Sequence, residues 1–590
     1  MLDITNCKFK LKAGFRMIAL RLYLRKYPQL TLIFSILLLY VPFYSEPILR
    51  PSGDEKVYIA QALEMKERGT WFLQWLAGEQ NYHKGPAFYL LLRIGFIIFG
   101  TSSMWSVLYM NLLGLLISAL FIEKIFKKYL QKSSGISLFA SLSYAYSVGM
   151  YFHMFASQME ALQVSFYAIS LCFLYLSEYK ESRTLYHFGL WLSIGFLGLL
   201  KSPIYSVLPG LSVLLVWFLR KKFIERLANL KVLACVGSGV LLVMLGFAPA
   251  FFLDQENFIN TYIIRETLSK GPNSVPWYAS ALPPFTLYLF PWVLPGITCF
   301  ILAIWLIFRR KIEFTSEEGL FLKCCVLFAL PTIVFFTFHP YRSEVYTLPI
   351  ISCTLSVFAI LMGKPQVLKN SCLQLSFITS GFAFVFLCAA IVFLHFSIDP
   401  FPSEWWPSWL TISFITLTAL SLVFLHRSIK NRYLINLTGL AISPIPFFIA
   451  LALFLNALGK RDFMDFSSNI EQIESHNVQN LAYLNMPRHT WSEWGALNMW
   501  LHHPVRGIHK MEELKKLVEM GGVLIVPERS ITDFIDLLHR KFESVDYKIN
   551  KIRRWMVHGK TQKGDMKTLE YFIKTGNLKD LERYDYWISF

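Results

Sequence analysis

Charge is the scarcest property of this sequence. Asp, Glu, Lys and Arg make up only 16% of its 590 residues, against 55% hydrophobic. A soluble chain of that length needs far more polar surface, so a free-standing soluble protein is excluded. Paired cysteines are missing too. The nine cysteines stand singly or as Cys324-Cys325, mostly in apolar runs, with none after Cys388 and no C-x-x-C or Cys/His spacing. They read as small membrane hydrophobes, not as zinc ligands or a redox pair. No Gly-rich phosphate loop appears, so no nucleotide site is legible. Internal repeats and low-complexity tracts are also absent.

What is present is hydrocarbon in long blocks. Apolar runs of about 17 to 24 residues recur from Leu30 to about Asn456, long enough to cross a ~30 Å core. The candidate spans are 29–45, 104–122, 134–152, 159–177, 185–200, 203–219, 232–253, 285–308, 320–337, 345–362, 373–396, 408–426 and 434–457, about thirteen in all. The N-terminal basic cluster (Arg16, Arg21, Arg25, Lys26) leads into a full-length run with no small-residue cleavage pattern, which reads as an anchor and not a cleavable leader. A polytopic α-helical membrane protein is expected.

The net charge of +18 suggests nucleic acid until its placement is considered. Lys and Arg cluster in short loops between spans: 123–133, 178–184, 220–231, 309–319, 363–372 and 427–433. That is the positive-inside distribution, and nucleic acid is not expected as a partner. The run 86–100 is apolar but short. Counting it as a span would invert every later loop, so it reads as an interfacial or re-entrant helix. Residues 1–28 then lie in the cytoplasm and 29–457 form the membrane domain, with external loops 46–103 and 253–284. Residues 458–590 turn polar and read as a small external α/β domain. Within it 522–526 and 482–484 read as strands, Arg554–His558 as a further strand, and 531–540 as an amphipathic helix.

The external loops hold the polar groups that a membrane does not require, and such groups are functional candidates. Pro51-Ser-Gly-Asp54-Glu55-Lys-Val-Tyr58 follows the first span, and a short surface helix is expected from there to Gly69. Asp54 suits an N-cap, and equally a general base whose carboxylate is tuned by desolvation. Lys84 lies in Asn81-Tyr82-His83-Lys84-Gly-Pro86 ahead of Tyr89. It could snorkel to lipid phosphate or hold one particular phosphate. Glu160 opens a span, where a carboxylate also suits the helix dipole. Lys201-Ser-Pro203 breaks two spans on the face opposite the basic loops, which favours a bound anion. Tyr262, Arg265 and the Trp and Tyr residues of 275–292 suit interfacial anchoring, while Arg342 and Tyr346 stand at the mouth of span 345–362. All of these converge on one membrane face.

With Asp54-Glu55-x-x-Tyr58, Tyr82-His83-Lys84-Gly-Pro86, Glu160, Leu199-Leu-Lys201-Ser-Pro203, Pro291-Trp292 and Arg342-Ser-Glu-Val-Tyr346 on the page, the chain resembles the GT-C class of membrane glycosyltransferases. Across about residues 30–460 it is similar to glycosyltransferase family 39, the aminoarabinose (lipid A) transferases and protein O-mannosyltransferase-like enzymes. The resemblance implies an inverting enzyme that moves a sugar from a polyprenyl-phosphate donor to an extracytoplasmic acceptor, whether lipid A, polysaccharide or protein, in the bacterial inner membrane. Asp54, with Glu55 or Glu160, would be catalytic. Lys84, Lys201 and Arg342 would bind the donor phosphate, and Tyr58, Tyr82, His83, Tyr89, Arg265 and Tyr346 would line the pocket. Cations aimed at a departing phosphate supply the main stabilisation, so no cofactor is required. A divalent metal could still be held by Asp54, Glu55 and Glu160. His83 and Val57 depart from the Glu and Arg of the aminoarabinose transferases, so the resemblance does not carry the sugar. The rivals are a lipid-linked sugar transporter or flippase, and a polysaccharide polymerase or ligase. Transporters often show repeated halves and charges deep within spans, which this chain lacks.

Overall fold

The computed structural model describes residues 27–44, 54–76, 79–82, 84–101, 103–156, 158–180, 183–268, 275–381, 408–429 and 437–453. Towards the C-terminus it describes 481–484, 506–508, 511–521, 523–527, 534–536, 538–540, 547–554 and 583–589. The first helix, α1 (Pro28–Tyr40), starts on proline, whose missing N–H costs nothing in the first turn. Helix α2 (Asp54–Glu67) follows and ends before Gly69, whose φ of +69° suits a residue without Cβ. A two-stranded hairpin, β1 (Trp75–Leu76) and β2 (Glu79–Gln80), leads to α3 (Pro86–Phe99), again opened by proline.

The bundle proper comprises α4 (Trp105–Lys124), α5 (Ser134–Tyr146), α6 (Val148–Met154), α7 (Glu160–Tyr179), α8 (Thr184–Leu200), α9 (Ile204–Leu219) and α10 (Leu230–Leu253). It continues with α11 (Val293–Phe308), α12 (Ser316–Phe338), α13 (Ile351–Met362), α14 (Ser408–Ile429) and α15 (Leu437–Ile442). Local chemistry sets several of the starts. The Ser133 hydroxyl accepts from the Ile136 N–H, Asn229 caps α10, and Thr315 with Glu318 forms a capping box on α12.

Each of the thirteen apolar runs carries helix among the described residues, but only four helices are long and apolar enough to cross a membrane unaided: Trp105–Tyr129, Glu160–Tyr179, Leu230–Leu253 and Ser316–Phe338. Two expected single spans are broken. The run 134–152 divides at Ser147, which takes an extended backbone and gives its hydroxyl to the Tyr144 carbonyl. The run 285–308 joins Tyr278–Leu289 to Val293–Phe308 through a 107° bend and would make a fifth crossing if both arms count as one. Pro283, Pro284 and Pro291 remove backbone donors there, so a straight helix is not available. The short run 86–100 is a single 14-residue helix, about 21 Å long at 1.5 Å per residue, which falls short of the hydrocarbon core.

Burial orders the bundle. Helix α7 has 89% of its spanning window buried and α10 only 17%, so α7 stands at the centre and α10 faces lipid. Helix α8 lies between them. Gly195 and Gly239 let α8 and α10 approach until a Cβ on Gly195 would stand 2.6 Å from the Gly239 carbonyl oxygen, the small-residue contact by which membrane helices pack.

One end of the bundle gathers the basic loops. Glu318 takes Lys132 and Lys364, and Glu178 takes Arg220, Arg226 at 3.6 Å and the Trp217 indole at 3.1 Å. Four cations that the charge rule puts on one side therefore close on two buried carboxylates at one end.

In the polar C-terminal region, β3 (Leu481–Leu484), β4 (Arg506–Ile508), β5 (Val523–Pro527), β6 (Lys548–Arg554) and β7 (Arg583–Ser589) form a mixed sheet in the order β4-β3-β5-β7-β6, with helix Met511–Glu519 beside them. Strands Leu481–Leu484 and Val523–Pro527 lie where strands were expected at 482–484 and 522–526. The strand expected from Arg554 instead ends there, and 555–558 lie outside the described residues, while 534–536 and 538–540 of the expected helix 531–540 are helical.

Candidate active site at the end opposite the basic loops

Helix α7 begins at Glu160 and α8 ends at Leu200, so these antiparallel neighbours bring Glu160 and Lys201 to the same level. The Lys201 ammonium donates to Glu160 Oε1 at 2.8 Å, with both side chains about 10% exposed. Two tyrosines flank the same ammonium. Nζ lies 5.4 Å from the Tyr205 ring and 5.3 Å from the Tyr346 ring, within cation–π range. The remaining oxygen of Glu160, the Tyr205 hydroxyl and both amide atoms of Gln163 are buried without a hydrogen-bond partner. Gln163 stands three residues after Glu160, on the same face of α7. Unpaired buried polar groups are costly, and these four atoms offer donors and acceptors to a polar guest.

The Lys84 turn reaches the same place through its backbone. The Gly85 N–H donates to the Lys201 carbonyl at 3.2 Å, and a Cβ on Gly85 would lie 2.0 Å from the Leu199 carbonyl oxygen. Only glycine lets the two turns come this close. Tyr262 adds its hydroxyl to the Lys201 carbonyl at 3.3 Å. Lys84 is itself buried, which a lysine merely snorkelling to lipid would not be. A row of amides supports it. Gln74 donates to the Lys84 carbonyl at 3.1 Å, and Gln61 donates to Gln74 and to the Asn81 carbonyl.

Helix α2 was expected at the surface and is not there. Residues 58–65 are buried, because the helix packs under α3 and the hairpin. Its Tyr58 ring meets Phe88 edge-on at 5.5 Å and Tyr89 at 6.2 Å, so two expected pocket tyrosines do come together. Tyr82 turns instead to Phe258, 5.6 Å away, in a satellite cluster with Tyr262. Burial, and then the neighbouring Asp254 carboxylate, push its phenol well above the usual range. Arg342 is held by the carbonyls of Thr337 and Val275, each at 3.2 Å.

Asp54 and Glu55 open α2, and Arg265 lies in the helical segment Phe258–Leu268. The side chains of these three, and the whole of His83, fall outside the described residues. Among the described residues no group of three or more His, Cys, Asp or Glu could hold a metal ion. Sequence reasoning overlooked Gln163 and Tyr205. The signals were the helical spacing of Gln163 from Glu160 and the position of Tyr205 just past the Lys201-Ser-Pro203 break.

Comparison with known proteins fits this architecture. Residues 83–249 match the family model described as Dolichyl-phosphate-mannose-protein mannosyltransferase. The structure is similar to that of ArnT from Cupriavidus metallidurans bound to undecaprenyl phosphate, with a TM-score of 0.63 at 14% identity over 89% of this chain and 96% of that one. Against ArnT in the apo state the TM-score is 0.59, also at 14% identity, over 90% and 95%. The fold is the GT-C fold. The resemblance legible in the sequence stands, and the enzyme class it implied, a glycosyltransferase, is the class of the matched family. No curated protein matches the sequence. Helices long and apolar enough to cross a membrane accompany this fold.

Proposed function

We propose that the protein transfers a sugar from a polyprenyl-phosphate donor to an acceptor outside the cytoplasm. The observation that carries this reading is the junction of the Lys84 and Lys201 turns. It joins the backbones of two turns that each carry a buried lysine, with Glu160 and Tyr346 around Lys201. Lysines on two adjoining turns suit a phosphate that must lose a sugar. The similarity to a structure holding undecaprenyl phosphate supports the same donor class.

In this reading Asp54 takes the proton of the acceptor, helped by Glu55 or Glu160. The acceptor oxygen attacks the anomeric carbon. The bond from that carbon to the phosphate oxygen breaks, and the lipid phosphate leaves with the electron pair, held by Lys84, Lys201 and Arg342. One displacement inverts the anomeric centre. Tyr58, Tyr89, His83, Arg265 and Tyr346 line the approach. The chain crosses the bacterial inner membrane about thirteen times, its shorter helices completing the crossings, and 458–590 stand outside. No metal is required by this chemistry. The acceptor is lipid A, polysaccharide or protein.

The test is transfer of radiolabelled sugar from polyprenyl phosphate in membranes carrying the native chain or Asp54→Asn at matched expression. The variant is expected to lose at least 100-fold, in the range of a lost general base. Undiminished transfer would remove Asp54 from the mechanism. No transfer by the native chain from any of several donors would turn the reading towards a transporter.

A further inference from the structure

At the end carrying the basic loops, α4, α7 and α8 do not close on one another. They leave a cavity of about 290 Å³, near the lower end of the range for small-ligand sites. Its inner wall is apolar: Phe121 and Phe173, with rings 5.1 Å apart, and Leu176. Gly189 makes room for this wall, since a Cβ there would stand 2.7 Å from the Phe173 ring. Leu185, 70% exposed, stands at its mouth. Lys124, Tyr129 and Tyr186 make its polar rim.

Cations surround that rim. Lys128 lies 5.9 Å from the Tyr129 ring and Lys180 5.1 Å from the Tyr179 ring, while Arg183 and Lys124 both act on the Tyr186 hydroxyl. Two described carboxylates near them in sequence are already engaged, and Glu181 lies outside the described residues. Glu178 holds Arg220 and Arg226, and Glu123 accepts from the Gln29 amide. Elsewhere on this face Lys132 and Lys364 share Glu318. No carboxylate among the described residues pairs with Lys124, Lys128, Lys180 or Arg183. The basic face thus holds cations that staple helices and a separate group of cations around this cavity.

We propose that this cavity binds an anionic glycerophospholipid from the leaflet on the basic side. Its phosphate would sit against Lys124 and the Tyr186 hydroxyl, and the first part of one acyl chain would enter between Phe121, Phe173 and Leu185. The amphipathic lining and the basic rim favour this occupant over a zwitterionic lipid, because a basic pocket between helices at the membrane surface selects an anionic head group. The site is distinct from the candidate active site, which stands at the other end of the same helices. Helix α7 carries Glu160 and α8 leads to Lys201, so a lipid that ties α4, α7 and α8 together would steady the frame of both.

The test uses the full chain in detergent, with phosphatidylglycerol, phosphatidylcholine or inorganic phosphate added. Native mass spectrometry reads retained lipid, and thermal melting reads stabilisation. The native chain is expected to retain phosphatidylglycerol at least tenfold over phosphatidylcholine and to melt higher with it. Lys124→Gln, at the rim, and Leu185→Trp, at the exposed mouth, should each cut retention at least fivefold. Lys231→Gln, a cation of the same face outside the cavity, should not. Equal retention of the two lipids, or both cavity variants binding like the native chain, would overturn the proposal. Equal stabilisation by inorganic phosphate alone would also overturn it, since the site would then select an anion and not a lipid.

Discussion

Glu160 and Lys201 form a buried pair, and a buried pair behaves differently from its parts. Removing one partner leaves an uncompensated charge, which costs about 3–5 kcal/mol, whereas removing both charges together costs much less. Glu160→Gln and Lys201→Gln should therefore each lower the melting temperature in detergent, and the double variant should regain most of the loss. Donor affinity should not return with stability, because Lys201 would still be missing from the phosphate site. Additive losses in stability would mean that the 2.8 Å contact contributes little. Tyr82 gives a second prediction at this scale. Its phenol is raised by burial and then by Asp254, so the folded state keeps a proton that the unfolded state releases near pH 10. Stability contributed this way is complete below about pH 10 and declines as pH rises beyond it. The alkaline decline in melting temperature should be shallower in Tyr82→Phe, and identical slopes would assign it to other groups.

At the scale of elements, the site depends on how closely two turns can approach. A methyl on Gly85 would strike the Leu199 backbone at 2.0 Å, and backbone cannot give way as a side-chain tip can. Gly85→Ala should therefore separate the Lys84 turn from Lys201, lowering transfer at least tenfold and stability by about 1–3 kcal/mol. Gly237→Ala is the control. It lies in α10 with nothing within 4 Å of its Cβ, and a mid-helix glycine replaced by alanine gains roughly 0.5–1 kcal/mol. Loss of transfer in both variants would point to general fragility and not to this junction. The same contrast explains what was legible in the sequence. Helix positions could be read because apolar runs are local. So could the placing of Lys84, Glu160 and Lys201 on one face, since each stands at the end of a run. Their pairing could not be read. Lys201 meets Glu160 across 41 residues and Gly85 across a longer separation still, and nothing in local spacing encodes either contact. The break at Ser147 and the 107° bend were hidden because hydropathy measures composition and is blind to direction.

For the whole molecule, everything proposed for the candidate active site assumes that the basic end lies in the cytoplasm. That orientation rests on loop charge, and on the convergence of Lys132, Arg220, Arg226 and Lys364 at one end of the bundle. A cysteine stands where it can be tested. Cys372 is exposed in the basic-side loop 363–372, while Cys172, Cys235, Cys299, Cys324, Cys325 and Cys353 are buried. Buried thiols within a membrane bundle are inert towards a charged reagent, so the native chain nearly supplies its own reporter. With Cys7→Ser and Cys388→Ser in place, a membrane-impermeant maleimide should label inside-out vesicles and leave intact cells unlabelled. Labelling of intact cells would invert the molecule. Lys84 and Lys201 would then face the cytoplasm, and the donor would have to be met in the inner leaflet. The predicted protection of Cys372 in intact cells thus decides on which side of the membrane the sugar is transferred.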